Sequence, residues 1–72
     1  MMYKERLMQL YVNDEPVLSE HNTLSALLES YVSTEQRVAV AVNQQVVPRS
    51  LWSDCLLKDN DRIDIFESIA GG

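Results

Sequence analysis

Glycine is almost absent from this chain of 72 residues, and the two glycines present are its last two residues, Gly71 and Gly72. Tight turns usually take glycine, so the turns here must rely on residues such as Asn and Asp, which tolerate the left-handed conformation. Glycine is thus confined to the last two positions. This pattern predicts that the chemistry of the protein lies at its C-terminus.

Cysteine and basic residues are also scarce. Cys55 is the single cysteine, so an internal disulfide is excluded, and no N-terminal run has the length or apolarity of a signal peptide or membrane span. These absences predict a cytoplasmic protein that spans no membrane. Six Lys and Arg against eleven Asp and Glu give a net charge of -5, which argues against nucleic-acid binding and suits a basic protein partner. His21 stands alone, so no metal site is expected.

What the chain does contain is the composition of one small folded domain. Hydrophobic residues make up 46% and charged residues 24% of the chain, which is typical of a soluble globular protein. A chain of this length supports one core, so residues 1–72 are expected to form a single domain.

The first half of the chain predicts a hairpin followed by a helix. Apolar residues alternate over residues 7–12, the pair Asn13-Asp14 predicts a turn, and residues 16–18 predict a returning edge strand. Thr23 is a suitable helix N-cap. The helix is expected to end near Tyr31 or Val32, and its apolar stripe is Leu24, Leu27, Leu28 and Tyr31.

The second half predicts further strands. Alternating Val and Ala over residues 37–43 predict a central strand, residues 43–45 a turn, and residues 46–47 a short extended piece. Pro48 breaks the chain before a helical turn at residues 50–52, where Trp52 is expected in the core. Asn60 is expected to be left-handed in the turn at residues 59–61. A final strand follows over residues 62–69. The order indicates an α+β domain, a ubiquitin-like β-grasp with one main helix packed across a mixed sheet.

Three segments carry a resemblance to a known family. The run VNQQVVPRSLW begins at Val42, and LKDNDRI begins at Leu57, and the chain ends on IAGG from Ile69. Together they resemble the ThiS family of sulfur carriers in thiamine biosynthesis. The molybdopterin-synthase small subunit shares the fold and tail but usually has prolines just before the tail. This chain departs from the ThiS pattern at Asn60, where glycine is usual, and in the N-terminal extension Met1 to Arg6.

The resemblance implies that the Gly72 carboxylate is the reacting group. With a pKa of ~3.5 this group is ionised at pH 7 and must be activated before sulfur is attached. A ThiF-type adenylyltransferase would adenylate it with Mg-ATP, a cysteine desulfurase would supply sulfur, and thiazole synthase would receive it. The chain itself would bind no cofactor and would be a substrate and carrier rather than an enzyme. Ile69, Ala70 and Gly71 would complete a flexible tail that fits a narrow channel.

Three side chains are candidates for a partner surface. Phe66 lies on the strand face opposite Ile63 and Ile65, where it either anchors an activating enzyme or closes the edge of the core. Tyr11 either joins that surface or is a solvated tyrosine, and Arg49 either pairs with a partner carboxylate or is solvated or paired locally. Cys55 is not expected to carry the sulfur, because it has no His or CxxC partner and the adjacent Asp54 would raise its pKa.

Other functions remain open at this level. A ubiquitin-like modifier would join Gly72 to a target lysine, a carrier could serve another pathway such as molybdopterin synthesis, and an interaction module would have an inert tail. The free carrier is expected to be a monomer.

Overall fold

In the described part of the chain, one α-helix packs on a five-stranded mixed sheet. The computed structural model describes residues 7–32 and 37–67. The strands are β1 (Met8–Val12), β2 (Glu15–Ser19), β3 (Val38–Val42), β4 (Gln45–Val46) and β5 (Arg62–Glu67). Their order in the sheet is β2-β1-β5-β3-β4, with β1 and β5 parallel and the other pairs antiparallel. This arrangement confirms the predicted α+β β-grasp.

Two hairpins with two-residue turns form the arms of the sheet. Asn13 and Asp14 join β1 to β2 with φ values of 52° and 71°, and Asn43 and Gln44 join β3 to β4 with φ values of 51° and 73°. Positive φ at both turn residues matches the right-handed twist of the flanking strands. Asp14 and Gln44 therefore stand at the second turn position, where glycine is usual. Asn60 is also left-handed, with φ 71°, as the sequence predicts.

The helix α1 (Leu24–Leu28) begins where expected and ends earlier than predicted. The Thr23 hydroxyl accepts from the Ala26 N–H at 3.2 Å, which confirms the N-cap. Beyond Leu28, the N–H groups of Ser30 and Tyr31 donate to carbonyls three residues back. This tighter winding turns Tyr31 out of the apolar stripe, and its side chain is exposed. No helix in the described ranges is long and apolar enough to cross a membrane.

The core lies between α1 and the inner face of the sheet. Trp52 closes one side of the core from the 3₁₀ helix Arg49–Asp54. The largest fully buried side chains are Leu10, Leu24, Leu27, Val40 and Ile63. The Trp52 Nε1–H donates to the Val47 carbonyl at 2.8 Å. The prediction that Trp52 is a core residue is therefore confirmed.

The Val/Ala strand β3 is an interior strand of the sheet, as predicted, and β5 lies at the middle of the sheet beside it. The strand β3 does have neighbours on both sides, but β4 is only two residues long and forms the sheet edge beyond it. The parallel pair of β1 and β5 places Val12 beside Ile63 and puts β5 in the middle. The pairing of β1 with β5 joins the first and last strands of the chain. The Val/Ala pattern of β3 concerns neighbouring residues only, so it does not indicate that β5 lies in the middle of the sheet.

Candidate functional site

The strand β5 leads to the predicted reacting terminus. Its last residue is Glu67, and the predicted remainder of the strand up to Ile69 lies outside the described residues. The predicted tail residues Ile69, Ala70, Gly71 and Gly72 lie outside them as well. The site is therefore defined by the strand that carries the tail and by the surface around that strand.

Both hairpin turns hold β5 through an asparagine side chain. On the β1 side, the Asn13 N–H donates to the Ile63 carbonyl at 2.9 Å, and the Asn13 Oδ1 accepts from the Ile65 N–H at 2.8 Å. On the β3 side, the Asn43 N–H donates to the Arg62 carbonyl at 2.8 Å, and the Asn43 Oδ1 accepts from the Arg62 N–H at 3.0 Å. In each turn, the amide oxygen of the side chain takes the place of a strand carbonyl.

Asp61 ties the start of β5 to the same framework. Its buried carboxylate accepts from the Lys58 N–H at 2.8 Å and from the Asn43 Nδ2 at 3.0 Å. Its carbonyl accepts from the Tyr11 N–H at 3.0 Å. A buried carboxylate is tolerated when its oxygens are hydrogen-bonded in this way. The strand that leads to the tail is thus fixed at its beginning and along both sides.

The sheet face opposite α1 carries exposed apolar side chains on several strands. We call it the open face, and it comprises Leu18 of β2, Tyr11 of β1, Arg62, Asp64 and Phe66 of β5, Ala39 of β3 and Val46 of β4. Leu18, Phe66 and Val46 are 67%, 57% and 71% exposed. Leu18 pairs with Gln9 and Val46 with Ala41, so these side chains do not form one continuous patch. Phe66 is the aromatic member of the three, and aromatic residues are enriched at protein interfaces. Phe66 therefore does not close the core, which is the alternative that the sequence left open.

Tyr11 is held in place by polar neighbours on the open face. The Arg62 guanidinium lies over its ring at 4.9 Å from the centroid, and its hydroxyl accepts from the Gln9 Nε2 at 3.2 Å. Arg62 also pairs with Asp14 at 3.3 Å. Tyr11 is thus half-buried on the same face as Phe66, with Arg62 beside it and Phe66 further along β5.

Arg49 lies on a different surface. It is the first residue of the 3₁₀ helix, and its guanidinium lies over the Trp52 ring at 4.9 Å from the centroid. With Trp52 it lines a groove against Leu28 and Glu29 at α1. The structure therefore places Tyr11 and Phe66 on one face and Arg49 on the helix side of the sheet.

The surroundings of Cys55 do not favour its reactive thiolate form. Burial raises the pKa of the Cys55 thiol, and the negative charge of Asp61 raises it further. The direction agrees with the sequence prediction, but the charge responsible is Asp61 and not the adjacent Asp54. Within the described part of the chain, no group of three or more His, Cys, Asp or Glu side chains could hold a metal ion.

The raised pKa of Cys55 leads to a prediction about its reactivity. Less of the thiol is ionised at pH 8 than in the unfolded chain, and the thiolate is the form that reacts. We therefore expect iodoacetamide to label Cys55 more slowly in the folded protein than in urea, with the gap narrowing as the pH rises through the pKa of the folded state. Equal labelling rates at pH 8, measured by mass spectrometry, would contradict this.

The fold is that of a small β-grasp protein, and the sequence ends on Gly-Gly after the last strand. A protein-family model described as the ThiS family matches residues 2–72. The sulfur carrier protein ThiS of Escherichia coli is 38% identical over 66 residues, which span 90% of this chain and all of the relative.

Two solved structures of a thiamine biosynthesis protein from Geobacter metallireducens have the same fold. The crystal structure, of ThiS, superposes with a TM-score of 0.77 at 26% identity, covering 90% of this chain and 100% of the other. The solution structure gives a TM-score of 0.69 at 26% identity, covering 90% and 88%. The chain belongs to the ThiS family.

Proposed function

We propose that this protein is a sulfur carrier in thiamine biosynthesis that holds sulfur as a thiocarboxylate at Gly72. The observation that carries the proposal is that the family match includes the Gly-Gly end and that the E. coli carrier is matched over its whole length. A carrier needs only a reactive end and a surface that other proteins can bind. It acts as a substrate of its partners and not as an enzyme.

The chemistry proceeds in three steps on the terminal carboxylate. A carboxylate oxygen of Gly72 attacks the α-phosphorus of ATP bound with Mg²⁺ on the activating enzyme, and pyrophosphate leaves. The terminal sulfur of a persulfide then attacks the acyl carbon and AMP leaves, which gives an acyl disulfide. A second thiol reduces that disulfide, so two electrons pass to sulfur and the thiocarboxylate is released. The carrier supplies only the carboxylate and binds no cofactor of its own.

The partners follow from this sequence of reactions. The activation step calls for a ThiF-type adenylyltransferase, the sulfur comes from a cysteine desulfurase relay, and thiazole synthase is the acceptor. The cytosol keeps thiols reduced, so the thiol that reduces the acyl disulfide is available there, which favours the cytoplasm. The open face is the surface proposed for docking, because it carries the exposed aromatic Phe66 next to the end of the strand that leads to Gly72.

Phe66 gives a prediction for this docking surface. It lies next to the last residue of β5 and is 57% exposed, so Phe66→Ala removes contact area while leaving the core unchanged. We expect the KM of the activating enzyme for the carrier to rise about tenfold, as for an aromatic residue that contributes strongly to binding. The measurement is pyrophosphate release at varied carrier concentration.

Leu56 provides a matched control for Phe66. Its side chain is 68% exposed, but it lies outside the five strands, where it forms an isolated β-bridge with Thr23. We expect Leu56→Ala to leave KM within twofold of the wild type. Similar rises in KM for both variants would show that exposed apolar area, and not the open face, determines binding.

A reconstituted reaction tests the proposed function. The protein is incubated with the adenylyltransferase, Mg-ATP, a cysteine desulfurase and cysteine, and the intact mass is measured before and after thiazole synthase and its other substrates are added. We expect a sulfur-for-oxygen mass gain that disappears when the synthase turns over. Covalent adducts on lysines of other proteins would instead indicate a modifier, and turnover only with a molybdopterin precursor would indicate the other pathway.

A further inference from the structure

The two asparagines that hold β5 act at different distances from the tail. Asn43 bonds the N–H of Arg62, at the first residue of β5, whereas Asn13 bonds the N–H of Ile65, two residues before the strand ends at Glu67. The strand β1 itself ends at Val12. On the β1 side, the Asn13 side chain therefore supplies the hydrogen bond to β5 that lies nearest to the tail among the described residues.

We propose that Asn13 is a positioning residue for activation of the terminus, an inference that rests on the proposed role of Gly72. Its left-handed backbone brings β1 to an end, while its Oδ1 continues the ladder one step further to the Ile65 N–H. This bond sets the direction of the last residues of β5, from which the chain continues to Gly72. In the complex with the activating enzyme, the Gly72 carboxylate then occupies the adenylating site for a larger fraction of the time.

The physical argument concerns what holds β5 beyond the end of β1. On its other side, β5 remains paired with β3, where Ala39 lies beside Phe66 and Val38 beside Glu67. A strand that is hydrogen-bonded to a neighbour on one side only can still rotate about those hydrogen bonds. A hydrogen bond on its opposite side restricts that rotation. Asn13 is exposed, and Ile65 lies 52 positions away from it in the chain. The hydrogen bond between them therefore fixes β5 and is not part of the turn itself.

The test compares glycine and aspartate at position 13. Gly suits the φ of 52° but has no side chain, so Asn13→Gly removes the bond and retains the turn, while Asn13→Asp keeps an acceptor oxygen at the same place. With the activating enzyme and saturating carrier, we expect Asn13→Gly to lower kcat for pyrophosphate release by about tenfold, because misplacing a reacting group lowers the reactive fraction. KM should change little, since the open face is intact, and Asn13→Asp should restore kcat.

Asn43→Gly is the matched control. The turn geometry at Asn43 is nearly the same, with φ 51°, and this variant also removes a side-chain bond to β5 together with a bond to the buried Asp61. It should therefore reduce the melting temperature at least as much as Asn13→Gly does, yet change kcat less. An equal fall in kcat for both variants would show that general stability controls activation and would overturn the proposal.

Amide exchange provides a readout that needs no enzyme. In Asn13→Gly, hydrogen exchange of the Ile65 N–H should be several-fold faster, while that of the Ile63 N–H should change less. An unchanged Ile65 exchange rate, an unchanged kcat, or a rise in KM at constant kcat would each overturn the positioning role. If the wild-type protein itself is never adenylated, the proposed function fails and this inference fails with it.

Discussion

Replacing Gly72 by valine is expected to lower the rate of thiocarboxylate formation by more than about 100-fold, because a displaced reacting group can lose a factor of this size. The variant keeps a terminal carboxylate with ordinary acidity, so only its fit to the adenylating site changes. A Cβ branch narrows the approach to the terminal carbonyl, where glycine leaves it open. The measurement is the initial rate of the sulfur-for-oxygen mass gain in the reconstituted reaction.

Ala70→Val is the matched control for this variant. It places the same valine side chain two residues earlier, away from the reacting carbon. We expect a much smaller loss of rate, so that the two variants differ by at least tenfold. Equal rates for Gly72→Val and the wild type would mean that the terminal glycine is not the group on which activation depends.

Ile63→Ala is expected to unfold most of the protein at 37 °C. Ile63 is fully buried on the central strand and packs in the cluster that also holds Leu10, Leu24 and Val40. Truncating a buried isoleucine to alanine costs about 2 to 5 kcal/mol. A core of this size gives a free energy of unfolding of only about 3 to 5 kcal/mol. The substitution therefore removes most of the stability.

The control for Ile63→Ala is Phe66→Ala, three residues along the same strand. Phe66 is 57% exposed on the open face, so its truncation should change the free energy of unfolding by less than about 1 kcal/mol. Urea denaturation followed by Trp52 fluorescence measures both variants. A similar midpoint for Ile63→Ala and the wild type would contradict the assignment of β5 as the strand at the centre of the core.

The local features of the fold could be predicted from the sequence because each has a short-range cause. Asn13-Asp14 and Asn60 are residue types that tolerate positive φ, and Thr23 offers a capping oxygen at the start of the apolar helix stripe. The helix end could not be predicted as well. No glycine cap fixes it, and tighter hydrogen bonds after Leu28 turn Tyr31 outward.

The features that hold the tail-bearing strand could not be predicted, because they join distant parts of the chain. The sequence indicates that Asn13 is a turn residue, but nothing near it shows that its side chain bonds Ile65. Asp61 was likewise predicted only as part of a turn, yet it joins Lys58 to Asn43. Strand alternation in the sequence places Tyr11 and Phe66 off the core face, and the strand pairing shows that they share one face, whereas Arg49 lies on the helix side.

The measurement that tests the account most directly is the mass of the C-terminal fragment of the protein purified from its own cells. The account predicts that a fraction of this fragment carries sulfur in place of one oxygen at Gly72, and that the fragment containing Cys55 carries no added sulfur. Sulfur on Cys55 with an unmodified Gly72, or Gly72 joined to a lysine of another protein, would contradict it.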